Sequence, residues 1–314
     1  MSSAAVATAF GGPEVVSVID VEDQTPQSGE VVVEIRAAAV NPIDYKFYSG
    51  AFGTDEASLP MRLGLEAAGV VTDIGEGATG PAGPIRVGDE VVVYPASGAY
   101  AERIVVSSHS VLPKPTTLSF AQAAGLLLTG TTAAHCMVAT SVVDGDTVLV
   151  HAAAGGVGLM VVQLARLRGA RVIGTAGESA HETLRALGVE PVTYGPGLVD
   201  RVRALAPDGV DAAVDCIGSD EAIDASLELV ADRRRIATVA NFSRGDDGIQ
   251  VLGNGPGADP GEAIRSAARE DLLRRAGDGD LEVTVAQEFP LSAVRDAHLL
   301  SREGHTHGKI VLLP

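Results

Sequence analysis

Hydrophobic and polar positions along the chain follow two rhythms, and the change comes at Leu118. Before it the sequence reads as short β-rich runs, "EVVVEIRAAAV", "GVVTDIGEG" and "DEVVVYP" among them, broken by glycine-bearing turns and with little helical periodicity. From there "SFAQAAGLLLTGTTAAHCMVAT" opens with Ser119 as an N-cap and runs apolar. Strand and helix patterns then alternate. "DTVLVHA" is a strand and "GVGLMVVQLARLRG" a helix, "ARVIGTA" a strand and "SAHETLRALG" a helix. "PVTYG", "LVDRVRALAP", "VDAAVDCIG", "DEAIDASLELV" and "RRIATVA" continue the series, and "IQVLG", near residue 252, is a short closing strand. This order predicts a doubly wound parallel sheet with helices on both faces, and near-continuously aliphatic strands suit burial on both sides. The tail, helix "GEAIRSAAREDLLRRAGDGDL", strand "EVTVAQEFP", helix "LSAVRDAHLLSREG" and strand "GKIVLLP", is read as returning to the first domain. The fold class is α/β: a mainly β domain from residues 1–116 and 257–314, and a parallel-sheet domain from 117–256.

Composition narrows the partners. A length of 314 residues, 46% of them hydrophobic, suits two cores better than one. Aromatics are scarce, so the cores are aliphatic. A formal charge of −18 argues against nucleic acid or an anionic membrane, which reward clustered Lys and Arg. The two cysteines, Cys136 and Cys216, form no CxxC pair and read as small buried hydrophobes. "MSSAAVATAFGGPEVVSVID" lacks the pattern of a signal peptide, and no window approaches the roughly 18 apolar residues of a membrane span, so a reducing cytoplasm is the expected location.

The candidate chemistry starts in "HAAAGGVGLMVVQLARLRGA", His151 to Ala170. Ala153-Ala154-Gly155-Gly156-Val157-Gly158 is a GxGxxG pattern with alanine in the first glycine place, set between a predicted strand and helix. Gly155 lets the backbone approach a pyrophosphate, Gly158 lets the helix pack on its strand, and the helix N-terminus faces the phosphates. Sites for NAD carry an acid at the end of the second strand. Here that strand ends in Thr175-Ala176-Gly177, and Ala176 leaves room for a 2′-phosphate, which favours NADP(H). Glu178 restores NAD if the register shifts by two. His181 and Tyr194 are either partners for the phosphate or ordinary surface residues. Cys216 and Gly218, in "DCIG", end the fourth strand, where a ligand crevice is expected.

Taken together, "AAAVNPIDYKFYSG", "LGLEAAGVVTDIGEGA", "VGDEVVVY", "AYAE", "LLLTGTTAAH", the glycine-turn segment, "VDAAVDCIG" and "GHTHGKIVLL" make the chain resemble, over nearly its full length, the zinc-independent quinone oxidoreductase (zeta-crystallin-like) branch of the medium-chain dehydrogenase/reductase superfamily. The resemblance implies a GroES-like substrate domain built from both chain ends and a Rossmann cofactor domain between them, with the active site in the cleft. It also implies a homodimer joined edge to edge through the last Rossmann strand. Zinc-dependent members carry a cysteine where this chain has Asn41-Pro42-Ile43-Asp44, and Gly-His-Glu where it has Gly64-Leu65-Glu66, so no metal is expected. His305 and His307 read as a solvated loop and not as a ligand pair.

The resemblance places Asn41 and Tyr45 beside the nicotinamide as the catalytic candidates, with Tyr45 either donating a proton or only binding a carbonyl. A turn-capping role for Asn41 is the structural alternative. It places Thr129, in "TGTTAA", against the nicotinamide amide or ribose, the alternative being a helix-interior threonine that bonds its own backbone. Asn241 and Phe242, after the fifth strand, are expected at the nicotinamide ribose. Asp44 and Lys46 either tune the cleft or form a local ion pair, and Glu66 is read as satisfying backbone groups at the domain crease. The implied function is an NADPH-dependent, metal-free reductase of a small-molecule quinone or α,β-unsaturated carbonyl. A 2-enoyl-thioester reductase, on acyl-CoA or a polyketide, and a low-turnover NADPH-binding sensor or structural protein are the alternatives. A cofactor-binding turn reports binding and not chemistry.

Overall fold

The computed structural model describes residues 1–304 and 306–314; His305 of the pair above lies outside the described residues. The chain divides into two units, Met1–Leu128 with Glu270–Pro314, and Thr129–Arg269. Both crossings fall later in the chain than 116/117 and 256/257. At the first, the helix Phe120–Ala124 packs on the strands Glu30–Val40 and Ala67–Ile74 and so belongs to the first unit. The second crossing lies inside the helix Glu262–Asp278, whose regular backbone carries no punctuation to mark it.

In the second unit the aliphatic runs form six parallel strands: β1 (Thr147–His151), β2 (Arg171–Thr175), β3 (Glu190–Val192), β4 (Ala212–Asp215), β5 (Ile236–Thr238) and β6 (Gln250–Val251). Their order is β3-β2-β1-β4-β5-β6, so the chain winds outward one way and then the other from β1. Val148, Leu149 and Val150 are all fully buried, as are Ala212, Ala213 and Val214, because helices cover both faces. Gly156–Leu167, His181–Ala186, Leu198–Leu205 and Asp220–Leu229 are the crossover helices. Ser219 caps the last of them by accepting the Ala222 N–H. "IQVLG" supplies β6, the edge strand, although Val251 O already accepts the Asp259 N–H at 2.8 Å on its far side.

In the first unit a seven-stranded sheet centres on Glu30–Val40. Ala67–Ile74 pairs antiparallel along it, and Lys309–Leu313 pairs antiparallel with its C-terminal end. The tail therefore does return to the first unit, with Val285–Pro290 parallel beside the last strand. Val33, Ile35, Val71, Val93, Tyr100, Ile310 and Leu312 belong to its core. The apolar run after Ser119 forms two helices: Phe120–Ala124, with a Ser119–Gln122 capping box, and Leu127–Ala139. The break falls at Gly125, where an added Cβ would lie 3.0 Å from the Lys309 side chain. The bend is the space through which that lysine passes.

Candidate active site

β1 ends at His151, and the chain then turns sharply. Ala152 takes φ 53°, in the left-handed region that residues with a Cβ seldom occupy. Two bonds hold the turn: the Ala152 N–H donates to Thr175 Oγ1 at 3.2 Å, and the Ala153 N–H to the Thr175 carbonyl at 3.0 Å. Thr175 thus fastens the turn to the end of β2. A Cβ on Gly158 would lie 2.2 Å from the Ala152 carbonyl oxygen, so the helix can sit this close to its strand only with glycine there. A Cβ on Gly155 would meet only Ala152 O, at 3.4 Å, so nothing inside the protein demands glycine at that point. Gly155, Gly156 and Val157 are half-buried, and the N–H groups of Gly156, Val157 and Gly158 take no backbone partner among the described residues. Ala154, the residue before them, is buried. His151 is buried against Ser226 Oγ at 3.0 Å, and burial lowers its pKa to about 4, so it stays neutral beside the turn.

At the end of β2, Ala176 is buried and Gly177 half-buried. His181 Nε2 lies 3.3 Å from the Ala176 carbonyl oxygen, and Tyr194 is 58% exposed on the loop after β3. That loop is held by Arg201, which no sequence motif singles out. Its guanidinium donates to the carbonyls of Thr193, Tyr194, Gly195 and Pro196 at 2.8 to 3.3 Å. The ends of β4 and β5 are joined by Asp215, the first residue of "DCIG", fully buried. It accepts from the N–H groups of Ile217 and Gly218 and from Thr238 Oγ1 at 2.7 Å. Thr238 Oγ1 in turn accepts the Asn241 N–H, and Asn241 Nδ2 donates to the Gly218 carbonyl at 3.0 Å. Gly218 and Asn241 are therefore brought together at the strand ends. Burial pushes the Cys216 thiol up, which favours its protonated form. The Phe242 ring lies over Gly253 and Gly255, and Thr129 is buried on the helix Leu127–Ala139.

In the first unit, Asn41 stands at the N-terminus of the short helix Pro42–Tyr48, with Pro42 in the first turn where its missing N–H costs nothing. Asn41 and Asp44 form the capping box of that helix, and the Asn41 amide also bonds beyond it. Its Nδ2 donates to Glu66 Oε1 at 3.0 Å, and its Oδ1 accepts from Lys309 Nζ at 2.5 Å. The amide orientation follows from its partners, since an ammonium only donates and a carboxylate only accepts. Lys309 Nζ also lies 3.1 Å from Glu66 Oε1, and Glu66 Oε2 accepts the Leu128 N–H at 2.8 Å. Glu66 thus satisfies one backbone group, at the start of a helix, and an amide and an ammonium besides. Asp44 is turned inward and is not paired with Lys46: its Oδ2 accepts from Tyr100 Oη at 2.6 Å and from the Asn41 N–H at 2.8 Å. Burial raises the Asp44 carboxyl to about 7. Tyr45 is half-buried, and the Arg302 guanidinium lies 5.8 Å from its ring centre. Lys309, Tyr100 and Asp44 each lie in a stretch that carries the resemblance, but only the fold brings them together. Among the described residues no group of three or more His, Cys, Asp or Glu is placed to hold a metal ion.

Residues 27–138 match the family described as "Alcohol dehydrogenase GroES-like domain", and residues 156–253 that described as "Zinc-binding dehydrogenase". A GroES-like domain followed by a dinucleotide-binding domain defines the class, the medium-chain dehydrogenases and reductases. A quinone oxidoreductase of Salmonella typhimurium is 33% identical over 97% of this chain and 97% of its own length. One from Mus musculus is 30% identical over 97% of this chain and 95% of its own. Among solved structures, an Escherichia coli quinone oxidoreductase complexed with NADPH superposes with a TM-score of 0.86 at 28% identity, covering 99% of this chain and 100% of that one. The chain belongs to the quinone oxidoreductase branch of that superfamily.

Proposed function

We propose that the chain is an NADPH-dependent, metal-free oxidoreductase that transfers a hydride to a quinone or an α,β-unsaturated carbonyl. The glycine turn is the observation that carries this reading. Its half-buried backbone, the space at Gly155 and the N–H groups of Gly156, Val157 and Gly158, which take no backbone partner among the described residues, fit a pyrophosphate. Ala176 in place of an acid at the end of β2 fits a 2′-phosphate, with His181 and Tyr194 as its partners. Gly218, Asn241, Phe242 and Thr129 are assigned to the nicotinamide end. When bound, the reduced nicotinamide supplies the hydride.

The chain's own residues orient the acceptor and manage its developing negative charge. Tyr45 is assigned to the acceptor oxygen, and its hydroxyl makes no hydrogen bond among the described residues. Asn41 is assigned beside it as a second donor. A cation is already built into that neighbourhood as Lys309, and Leu65 offers no ligand atom, which supports a reaction without zinc. Unpaired Cys136 and Cys216 suit a reducing cytoplasm. A homodimer joined along β6 is part of the same proposal.

The deciding assay follows oxidation of NADPH and of NADH by chelator-treated protein with a quinone, an enone and a crotonyl thioester. Rapid NADPH oxidation with quinone or enone is the expected result. Turnover with the thioester alone moves the chain to enoyl-thioester reduction. Tight NADPH binding without turnover defeats the enzymatic reading and leaves a sensor. In an active enzyme, Tyr45→Phe is expected to lower kcat by about a hundredfold if the hydroxyl is the proton donor, and an unchanged kcat rejects that role.

A further inference from the structure

Lys309 reaches its neighbours from the last strand, 5% exposed, past the bend at Gly125. Its ammonium is shared: besides the ion pair with Glu66 Oε1 at 3.1 Å it donates to the neutral amide oxygen Asn41 Oδ1. Three constraints then meet on Asn41. The ammonium fixes which end of the amide is oxygen. Glu66, held by the Leu128 N–H, takes one amide hydrogen at 3.0 Å. The second hydrogen has only the Ala39 carbonyl, at 3.4 Å, outside the usual range of about 2.7–3.2 Å. A cation on the oxygen of an amide draws electron density from its nitrogen and strengthens the remaining N–H as a donor.

We propose that Lys309 is a positioning residue for hydride transfer: it sets the orientation of the Asn41 amide and strengthens the N–H that Asn41 offers to the acceptor oxygen. This rests on the assignment of Asn41 to the acceptor made above. Lys309 itself touches neither substrate nor cofactor in this scheme; it acts through Asn41.

The test replaces the charged pair together, Lys309→Met with Glu66→Gln, so that no unpaired charge is left buried. The amide nitrogen introduced at position 66 then donates to Asn41 Oδ1, and the Asn41 amide turns over. The expected result with the best acceptor is a folded protein with kcat about tenfold lower and NADPH affinity within about twofold of the unaltered enzyme. In an Asn41→Ala background the same pair of changes is expected to lower kcat by less than about twofold. A folded double variant with unaltered kcat, or an equal loss in both backgrounds, overturns the proposal. Should the double variant not fold, Lys309→Leu with Glu66→Gln takes its place and is read by the same two outcomes. If the unaltered chain turns over no acceptor, the functional reading fails separately. The side-chain amide signals of Asn41, recorded by nitrogen-15 NMR without turnover, then carry the test: they are expected to move in the double variant, and unmoved signals overturn the proposal.

Discussion

Asp44 and Lys46 stand two positions apart on one short helix and meet opposite surroundings. Lys46 is half-exposed, while Asp44 is shut in with Tyr100, Lys309 and Glu66 around it, and burial raises its carboxyl from 3.8 to about 7. A group whose folded pKa lies above its unfolded value binds an extra proton in the native state between the two. Its contribution to stability is therefore complete below 3.8 and is lost as the pH rises through about 7. Asp44→Asn stays neutral throughout. Relative to that variant, the unaltered chain is expected to lose up to about 1.4 kcal/mol per pH unit across this window, measured by urea unfolding. A difference that stays flat with pH would mean that Asp44 is ionised throughout. The sequence could not show this, because what buries Asp44 includes Tyr100, 56 positions away.

Among elements, the glycine turn was the most legible part of the chain. Its pattern depends on local sterics alone, and the structure gives its two key glycines separable tasks. Gly158→Ala drives a Cβ to 2.2 Å from a backbone oxygen, so the helix must move off its strand. The expected outcome is a lower melting temperature and weaker NADPH binding together. Gly155→Ala meets nothing closer than 3.4 Å, so its melting temperature is expected to stay within a few degrees while NADPH affinity falls about tenfold or more. Equal thermal losses in the two variants, seen by calorimetry, would contradict this division. The alternation of strands and helices was legible for a related reason: periods of two and 3.6 are written into neighbouring residues. The break in the run after Ser119 was not, since the residue that needs the gap at Gly125 is Lys309, on the last strand. For the same reason the cluster of Asn41, Glu66 and Lys309 could be read only in part: all three lie in stretches that carry the resemblance, and nothing in "GHTHGKIVLL" points to Lys309 over its neighbours.

For the whole molecule, the division into units follows from which segments share a sheet, and no helix among the described residues is long and apolar enough to cross a membrane. The proposed homodimer predicts, by light scattering at micromolar concentrations, twice the mass of one chain; a single-chain mass throughout that range would reject it. The joint has to accommodate Asp259, which already bonds to Val251 and Gly253 along the outer side of β6.

The placing of Lys309 also has a consequence for the order in which a ribosome delivers the chain. Residues 129–269 are made before the first unit receives its last two strands. Until then the C-terminal end of Glu30–Val40 keeps a free strand edge, and Glu66 waits for an ammonium 243 positions downstream. A nascent chain halted before Lys309 is left with an uncompensated carboxylate in its interior, a defect that intracellular proteases can act on. In a pulse-chase experiment, chains ended at residue 308 should disappear several-fold faster than those carrying the last strand. Equal lifetimes would mean that the first unit is already sound without its final residues.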